Sequence, residues 1–325
     1  MDALSDALRV LRLTGAVFLD AEFTAPWCVI SDPRGPQSPM GSSRDIVFFH
    51  VLIEGRCKAR LVEDGQTIEF AAGDLIMLPR GNRHLMGSDL HLAPAVADLI
   101  VRPGKGDLLR IEHGGGGEKT RFVCGYLHCD ERLCGQILEA LPRLLRVPLG
   151  DVPANGWVQG LLTAGIRESA AARPGSETML AKLSELLFVE ALRRYIDLLP
   201  EGQRGWLAAL GDRFVGRALA LMHERPDRDW TVDELAAAVG LSRSSLAQRF
   251  TDYLGQPPIQ YLTRWRLTIA AQRLGNETTS LARIAADSGY ESEAAFNRAF
   301  KRALGTTPAV WRRSKRNTER MKAEG

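Results

Sequence analysis

The sequence LARIAADSGYESEAAFNRAFKRALGTTPAVWRR, from Leu281 to Arg313, has the pattern of two helices joined by a tight turn. Gly289 interrupts the first helical period, Ser292 stands at the N-cap position of the second helix, and Gly305 follows its last turn. The second helix carries an aromatic stripe on one face and basic or amide residues on the other. These features are typical of a helix-turn-helix recognition helix.

The same pattern occurs about 50 residues earlier in the chain. The matched pairs are Leu235 with Ile284, Gly240 with Gly289, Ser242 with Ser292, Leu246 with Phe296, Phe250 with Phe300, Leu254 with Leu304, Gly255 with Gly305, Pro258 with Pro308 and Tyr261 with Trp311. A repeat of this length indicates two copies of one supersecondary unit. Two recognition helices in one chain can enter successive major grooves about 34 Å apart on one face of the duplex.

These paired motifs resemble those of the AraC/XylS family of bacterial transcription regulators. The resemblance covers roughly residues 213–313 and is most specific in AADSGYESEAAFNRAFKRALGTTPAVWR, from Ala285 to Arg312. It implies a regulator that binds double-stranded promoter DNA as a homodimer, with RNA polymerase as a partner if it activates transcription. An ordinary helical hairpin with a solvated basic face is the alternative, and the doubled turn glycines and prolines disfavour it.

The charge of the chain is concentrated in the half that contains the repeat. The 325 residues, enough for two domains, carry a net charge of +3. Residues 1–203 have 22 Lys and Arg against 26 Asp and Glu, whereas residues 204–325 have 20 against 13. The basic half therefore suits a polyanion, and its many arginines suit phosphate and guanine contacts.

The composition predicts a cytoplasmic protein. Asp2 and Asp6 lie where a signal peptide would have its basic start. No apolar run approaches the ~18 residues that a membrane span requires. Five cysteines, an odd number, argue against the disulfide framework of a secreted domain.

Short apolar or alternating runs separated by turn residues replace the helical period between Ala16 and Arg110. This spacing predicts a small antiparallel β-barrel or sandwich. Within it, GDLIMLPRGNRH from Gly73 to His84 resembles the second motif of the cupin family, and His50 and Glu54 match two residues of the first motif. The resemblance implies a cupin-like sensor barrel.

His50, Glu54 and His84 are the candidate ligands of a divalent metal, since two imidazoles and one carboxylate suit such an ion. Alternatively, they are remnants inside a barrel that binds an organic effector or nothing. A metal-dependent cupin enzyme with an appended DNA-binding domain is the hypothesis from another class. Phe48 counts against it, because it replaces a histidine of the first cupin motif.

The cysteines are candidates for a redox sensor. Their positions favour Cys28, Cys124, Cys129 and Cys134 for that role. The alternative is that they are small core residues, as free cysteine often is. The spacing contains no C-x-x-C pair and no zinc-finger pattern.

From residue 131 the pattern turns helical, with one predicted helix ended by Pro148, a second from Trp157 to Ala172 and a third from Thr178 to Leu199. The family resemblance implies that these helices mediate dimerisation. A helical cap on the barrel of a monomer is the alternative, because an apolar helix face needs only some partner surface.

The predicted contacts to DNA follow from position in the recognition helices. First-turn residues should reach the bases, and more distal arginines and lysines should hold phosphates. The predicted base contacts are Arg243, Ser244, Ser245, Gln248, Glu291, Glu293, Ala294, Asn297 and Arg298. The predicted phosphate contacts are Arg249, Lys301, Arg302, Arg312 and Arg313. Phe250, Phe296, Phe300 and Trp311 are predicted to be core residues.

The sequence therefore predicts an α+β multidomain protein with a cupin-like β-barrel, a helical dimerisation region and an all-α double helix-turn-helix domain. The predicted boundaries are residues 1–130, 131–199, a linker at 200–212, 213–313, and a basic tail at 314–325. The predicted function is a sequence-specific transcription regulator, an activator rather than an enzyme, that senses a small molecule, a metal or a redox signal. A DNA-binding protein with a vestigial sensor is a further hypothesis, and it implies no response to ligand.

Overall fold

The computed structural model divides the chain into two compact units. It describes residues 2–10, 19–32, 46–104, 109–128, 135, 137–149, 160, 164–165, 168, 173–200, 202–276 and 278–314. The β unit comprises residues Leu13–Glu131 and Leu141–Leu198. The helical unit comprises residues Met1–Arg12, Arg132–Ala140 and Leu199–Gly325.

The β unit consists of two sheets. The strands are β1 (Leu19–Thr24), β2 (Cys28–Ser31), β3 (Ile46–Glu54), β4 (Arg56–Leu61), β5 (Thr67–Ala71), β6 (Asp74–Leu78), β7 (His84–Gly87), β8 (Ala95–Val96), β9 (Arg102–Pro103), β10 (Leu109–Gly114), β11 (Lys119–His128) and β12 (Leu145–Pro148). One sheet has the order β12-β6-β3-β11-β1-β10-β9, and the other has the order β5-β4-β7-β2-β8.

The sheets are open rather than closed into the predicted barrel, because the described strands at the sheet edges do not pair with each other. The pairing is also not purely antiparallel, since β1 pairs with β10 and β2 with β8 in parallel. The chain passes from one sheet to the other at Gly55, between β3 and β4, where φ is +84°. A Cβ atom there would lie 2.2 Å from the carbonyl oxygen of Lys119, so only glycine fits this crossing.

The inner faces of the two sheets share one apolar core. Phe23 stacks on Trp27 with ring centroids 4.2 Å apart, and Phe122 meets both rings edge-on at 6.0 Å. Cys57 and Cys124 belong to the same cluster of buried side chains. The sandwich-like core therefore forms without closure of the hydrogen-bonded sheet.

A short helix, α2 (Ala97–Ile100), and a long helix, α3 (Ser176–Asp197), complete the described β unit. Helix α3 packs against β11 and β12 and confirms the third predicted helix. The predicted helix ending at Pro148 is wrong in its second half, because β12 pairs there with β6. Leu145 and Val147 are buried and Arg146 is exposed, a period of two that favours a strand. Most of the second predicted helix, at 157–172, lies outside the described residues.

The helical unit contains both copies of the repeat. Its helices are α1 (Ala3–Val10), α4 (Trp206–Gly211), α5 (Val215–Glu224), α6 (Val232–Val239), α7 (Arg243–Leu254), α8 (Pro258–Asn276), α9 (Leu281–Asp287) and α10 (Glu293–Leu304), followed by a helical segment at 308–314. None of the described helices is long and apolar enough to cross a membrane.

The N-terminal helix groups with the C-terminal helices rather than with the β unit. Helix α1 packs against α5 and α8, with Ala3, Asp6, Ala7 and Val10 buried. The expected domain at residues 1–130 and the observed grouping therefore differ at the N-terminus. They also differ at residues 132–140, which belong to the helical unit.

Candidate nucleic-acid interface and sensor site

The first helix-turn-helix is fixed by caps at each helix start. The Thr231 hydroxyl accepts a hydrogen bond from the Glu234 amide at 3.1 Å, and the Glu234 carboxylate accepts one from the Thr231 amide at 2.8 Å. This capping box starts α6, and Gly240 ends it in the left-handed region with φ +79°. Ser242 caps α7 by accepting from the Ser245 amide at 3.2 Å.

The second helix-turn-helix uses the same devices at the matched positions. Ser280 caps α9, and Ser292 caps α10 by accepting from the Ala295 amide at 3.2 Å. Gly289 supplies the turn with φ +80°, and Gly305 ends α10 with φ +73°. The repeat found in the sequence is therefore a repeat of local structure.

The inner face of each recognition helix is core, as predicted. Phe250 and Phe300 are fully buried, and they meet Tyr261 and Trp311 edge-on at 5.7 and 5.9 Å. The Trp311 indole N–H donates to the carbonyl of Ala271 at 2.8 Å. These contacts fix how each recognition helix is rotated about its axis, and hence which face meets solvent.

The outer faces carry the predicted base-contacting residues. Apart from Asn297, which is half-buried, these residues are exposed: Arg243, Ser244, Ser245, Gln248, Glu291, Glu293, Ala294 and Arg298. Arg243 donates to Asp233 at 2.8 Å, but both side chains are more than 60% exposed. An ion pair so exposed is weak, so Arg243 can exchange it for a nucleic-acid contact.

Four cations on the second motif are exposed and carry no ion pair to any other residue that the structure describes. They are Arg298, Lys301, Arg302 and Arg313. An exposed guanidinium or ammonium without a carboxylate partner is available to a phosphate or a base. The basic face predicted for α10 is therefore present.

Two of the residues predicted to contact phosphates also have partners within the protein. The Arg249 guanidinium donates to both carboxylate oxygens of Asp212, at 3.1 and 3.0 Å from Nε. Asp212 is buried and also accepts from the amides of Phe214 and Val215, which caps α5. Burial opposes ionisation of Asp212, but these hydrogen bonds keep its pKa below the ordinary value.

Arg312 is similarly committed, because its guanidinium donates to the carbonyl of Thr279 at 2.5 Å. This bond connects the helical segment at 308–314 to the start of the second motif. The partners of Arg249 and Arg312 lie 37 and 33 residues away in the sequence, so the sequence pattern did not indicate them, and the phosphate contacts stay a prediction.

In the β unit, two histidines face each other in the apolar core. His50 lies on β3 and His84 starts β7, with their ring centroids 5.4 Å apart. Both are buried, and burial lowers the pKa of His50 to about 3 and that of His84 to about 4. Both imidazoles are therefore neutral at physiological pH.

Hydrogen bonding fixes the tautomer of His84. Its Nδ1 lies 2.9 Å from the carbonyl oxygen of Asn82, which can only accept, so Nδ1 carries the proton. Its Nε2 is then a bare acceptor, and it is buried without a partner among the described residues. Both nitrogens of His50 and the indole N–H of Trp27 are also buried without a hydrogen-bond partner among the described residues. Such groups are costly unless a ligand, water or ion satisfies them.

The third predicted metal ligand does not join this pair. His50 lies in the middle of β3 and Glu54 is its last residue, and the pairing of β3 with β11 shifts register between Leu52 and Glu54. Glu54 is exposed at the end of the strand. Within the described ranges, no group of three His, Cys, Asp or Glu side chains is arranged to hold a metal ion.

The described cysteines have environments that oppose thiolate chemistry. Cys28, Cys57 and Cys124 are buried and unpaired as thiols, and burial raises the pKa of each above the ordinary value. The thiolate is the reactive form, and a raised pKa lowers the fraction of thiolate at these sites. The other two redox candidates, Cys129 and Cys134, lie outside the described residues.

We expect the buried histidines to make stability depend on pH. Between pH 6.5 and about 4, His50 and His84 each bind a proton in the unfolded chain but stay neutral in the folded chain. The free energy of unfolding should therefore fall with decreasing pH, by about 1.4 kcal/mol per pH unit and per histidine. Urea denaturation at pH 7, 6 and 5 measures this slope.

The slope should decrease in His50→Gln and in His84→Gln. It should stay unchanged in His91→Gln, which alters an exposed histidine. An equal slope in all four proteins would show that the pair is not buried in its neutral form.

Comparison with known proteins agrees with this architecture. Residues 2–197 match the cupin family, and residues 235–314 match a helix-turn-helix domain family. The chain is 34% identical over 322 residues to a putative AraC-like transcription regulator of Streptomyces antibioticus, covering 96% of this chain and 99% of that protein. It is 33% identical over 315 residues to one of Streptomyces lividans, covering 96% and 98%.

The comparison extends to a regulator from Escherichia coli K12. Over 314 residues the chain is 28% identical to RclR, named an RCS-specific HTH-type transcriptional activator, covering 96% of this chain and 97% of that protein. Two full-length likenesses above 30% identity, together with both domain matches, decide the family. The chain belongs to the AraC-like transcription regulators and combines an N-terminal cupin domain with a C-terminal helix-turn-helix DNA-binding domain.

Proposed function

We propose that this regulator reads promoter DNA with α7 and α10 in successive major grooves, and that its cupin domain adjusts this binding in response to a ligand. The observation that carries the proposal is the doubled arrangement of a capped helix with a buried aromatic face and an exposed polar face. We infer that the protein acts in the cytoplasm, where chromosomal DNA lies, and has no enzymatic activity.

An activating role is proposed because RclR is named as an activator. It implies RNA polymerase as a partner. Transcription in vitro with purified polymerase distinguishes activation from repression. More transcript on adding the protein supports activation, and less would make it a repressor.

The rival hypothesis of a metal-dependent enzyme needs a third ligand near His50 and His84. Glu54 is exposed at the end of β3, and the described residues contain no group of three side chains arranged to hold a metal ion. Metal analysis with turnover assays separates the two hypotheses. A stoichiometric metal whose removal abolishes turnover would favour the enzyme.

Within α10, position and exposure divide the cations into two classes. Arg298 lies in the second turn and is exposed on the face opposite Phe296 and Phe300, where a guanidinium can reach O6 and N7 of guanine. Arg313 lies beyond the helix, in the segment at 308–314, and suits a phosphate. Phosphate contacts are insensitive to sequence, so the two arginines should have distinguishable effects.

We expect Arg298→Ala to weaken binding to a selected site by about 1–3 kcal/mol and to relax the preference at one base pair. Arg313→Ala should weaken binding to all sequences alike and reduce the salt dependence. Titration of both variants against the selected duplex and its single-base substitutions measures this. If both variants lost affinity uniformly over all duplexes, Arg298 would be a phosphate contact.

The sensor proposal rests on the buried nitrogens between the two sheets. Because Nε2 of His84 is an acceptor and the indole of Trp27 is a donor, the complementary ligand offers both an O–H or N–H group and an acceptor. The neighbouring rings of Phe23 and Phe122 favour an apolar or aromatic body. We infer that the effector is an uncharged organic molecule with a hydroxyl or amide N–H group, rather than an anion, because neither histidine carries a charge.

Phenol and toluene form a matched pair of probes for this site, since they differ in the hydroxyl group. Phenol should shift the ¹⁵N resonance of His84 Nε2, because a new hydrogen bond forms there, and toluene should not. The shift should vanish in His84→Leu. Equal shifts with both probes would exclude hydrogen bonding to His84, and a response to Zn²⁺ alone would make the pair a metal site.

Helix α3 offers a surface for dimerisation. Its inner face, including Leu187 and Leu192, is buried within the β unit and so acts as the predicted cap. A second row at helical spacing faces solvent, with Met179 50% and Leu186 48% exposed and Leu183 half-buried between them. We propose that this second row pairs two copies of the chain.

Leu186→Glu should therefore shift the protein from dimer to monomer, raising the dimer dissociation constant at least ~10-fold, about 1.4 kcal/mol. Leu198→Glu is the matched control, because Leu198 is 59% exposed but lies just after the last residue of α3, about 90° around the helix axis from the centre of the row. Sedimentation equilibrium measures both. A wild-type monomer at micromolar concentration, or equal effects of the two substitutions, would contradict this interface.

A further inference from the structure

Arg266, in the middle of α8, lies where the two helix-turn-helix motifs meet. Helix α8 (Pro258–Asn276) joins the motifs, and the Arg266 side chain is only 15% exposed. Burying a guanidinium costs free energy of folding unless its N–H groups donate hydrogen bonds. The hydrogen-bond partners of Arg266 therefore indicate its role.

One set of partners belongs to the first motif. Arg266 Nε donates to the carbonyl of Pro226 at 2.5 Å, and Nη2 donates to the carbonyl of Arg228 at 2.8 Å. A contact of 3.4 Å to Asp229 adds little, because that carboxylate is 95% exposed. Arg266 therefore binds the loop before α6 through two main-chain carbonyl oxygens.

The clamped loop contacts the start of α6. Arg228 lies over the Trp230 ring at 4.0 Å and pairs with Glu234 at 3.0 Å, the same glutamate that forms the capping box with Thr231. These contacts connect the loop to the start of the first motif, so Arg266 is linked to that motif through the loop that precedes α6.

The other side of the guanidinium meets the turn of the second motif. A Cβ atom on Gly289 would lie 3.0 Å from Arg266 Nη1, so the glycine supplies both a left-handed turn and room for the arginine. Burial raises the pKa of the neighbouring Tyr290, and the positive charge of Arg266 opposes this rise. The arginine is thus close to two successive residues of that turn.

We propose that Arg266 is a positioning residue that sets the distance and angle between the two recognition helices by holding the entry of the first motif against the turn of the second. Only a planar, forked side chain can donate to two carbonyls and lie against a glycine turn at once. The proposal rests on the double reading of DNA proposed above. Arg266 would then determine which spacing between the two halves of the operator the protein binds most tightly.

Linked binding modules gain affinity only when their geometry matches the two sites. With Arg266 in place, the protein should have a sharp optimum of half-site spacing. Without it, each motif should still bind its own half, but the gain from simultaneous binding should decrease and depend less on spacing.

The test uses the full chain and a duplex selected from a randomised library by the wild-type protein. Affinity is measured on this duplex, on versions with one or two base pairs inserted or removed between the halves, and on a duplex that keeps one half. The variants are Arg266→Ala and Arg266→Lys, and the lysine carries the test if the alanine variant does not fold. Arg264→Ala, an exposed arginine on the same helix, is the control.

The Arg266 variants should lose ~10-fold to 100-fold in affinity on the intact duplex, retain half-site affinity within about twofold, and show a flattened spacing profile. The control should keep the wild-type profile. Equal losses on half and whole sites, or an unchanged profile, would reduce Arg266 to a structural residue. If the wild-type protein enriched no duplex at all, the DNA-binding function itself would fail, which is a different outcome.

Discussion

The DNA-binding domain depends on one contact made twice, the edge-to-face packing of a phenylalanine in each recognition helix on an aromatic residue eleven positions later. Phe250 meets Tyr261, and Phe300 meets Trp311, with nearly the same distance and ring angle. Burying these rings fixes the rotation of α7 and α10 and leaves their polar faces toward solvent. The serine caps and left-handed glycines then set where each helix begins and ends. The interface to DNA is therefore a consequence of core packing.

The cupin domain is organised by the opposite constraint, polar groups enclosed in an apolar core. Its two sheets bury His50, His84 and Trp27 among aromatic rings and leave four of their nitrogens without partners in the described residues. The helical unit has a buried cluster of its own, in which the Trp206 indole N–H donates to the Tyr261 hydroxyl and that hydroxyl lies 2.7 Å from Nε2 of His223. In that cluster His223 Nδ1 and the Trp265 indole N–H are also buried without a partner among the described residues. The facing pair of neutral histidines distinguishes the cupin core and is the reason to place the sensor there.

The parts of the structure that could be predicted are those encoded locally. Caps, turn glycines and the aromatic stripe lie within a dozen residues of one another, and the second copy made the pattern unambiguous. The parts that could not be predicted all involve distant partners. The position of Glu54 relative to His50 depends on the course of β3, and the ion pair of Arg249 depends on Asp212. Residues 145–148 form a strand only because β6 offers an edge. The contacts of Arg266 could not be predicted from the sequence, because its partners are main-chain carbonyls, which any residue supplies.

The central claim is that one chain presents two reading helices to one face of the duplex. Hydroxyl-radical footprinting of the full chain on a selected duplex tests it most directly. The account predicts, for each bound chain, two protected stretches on the same face, with centres one helical turn or about 10 base pairs apart. A single protected stretch per chain, or two on opposite faces of the helix, would contradict it.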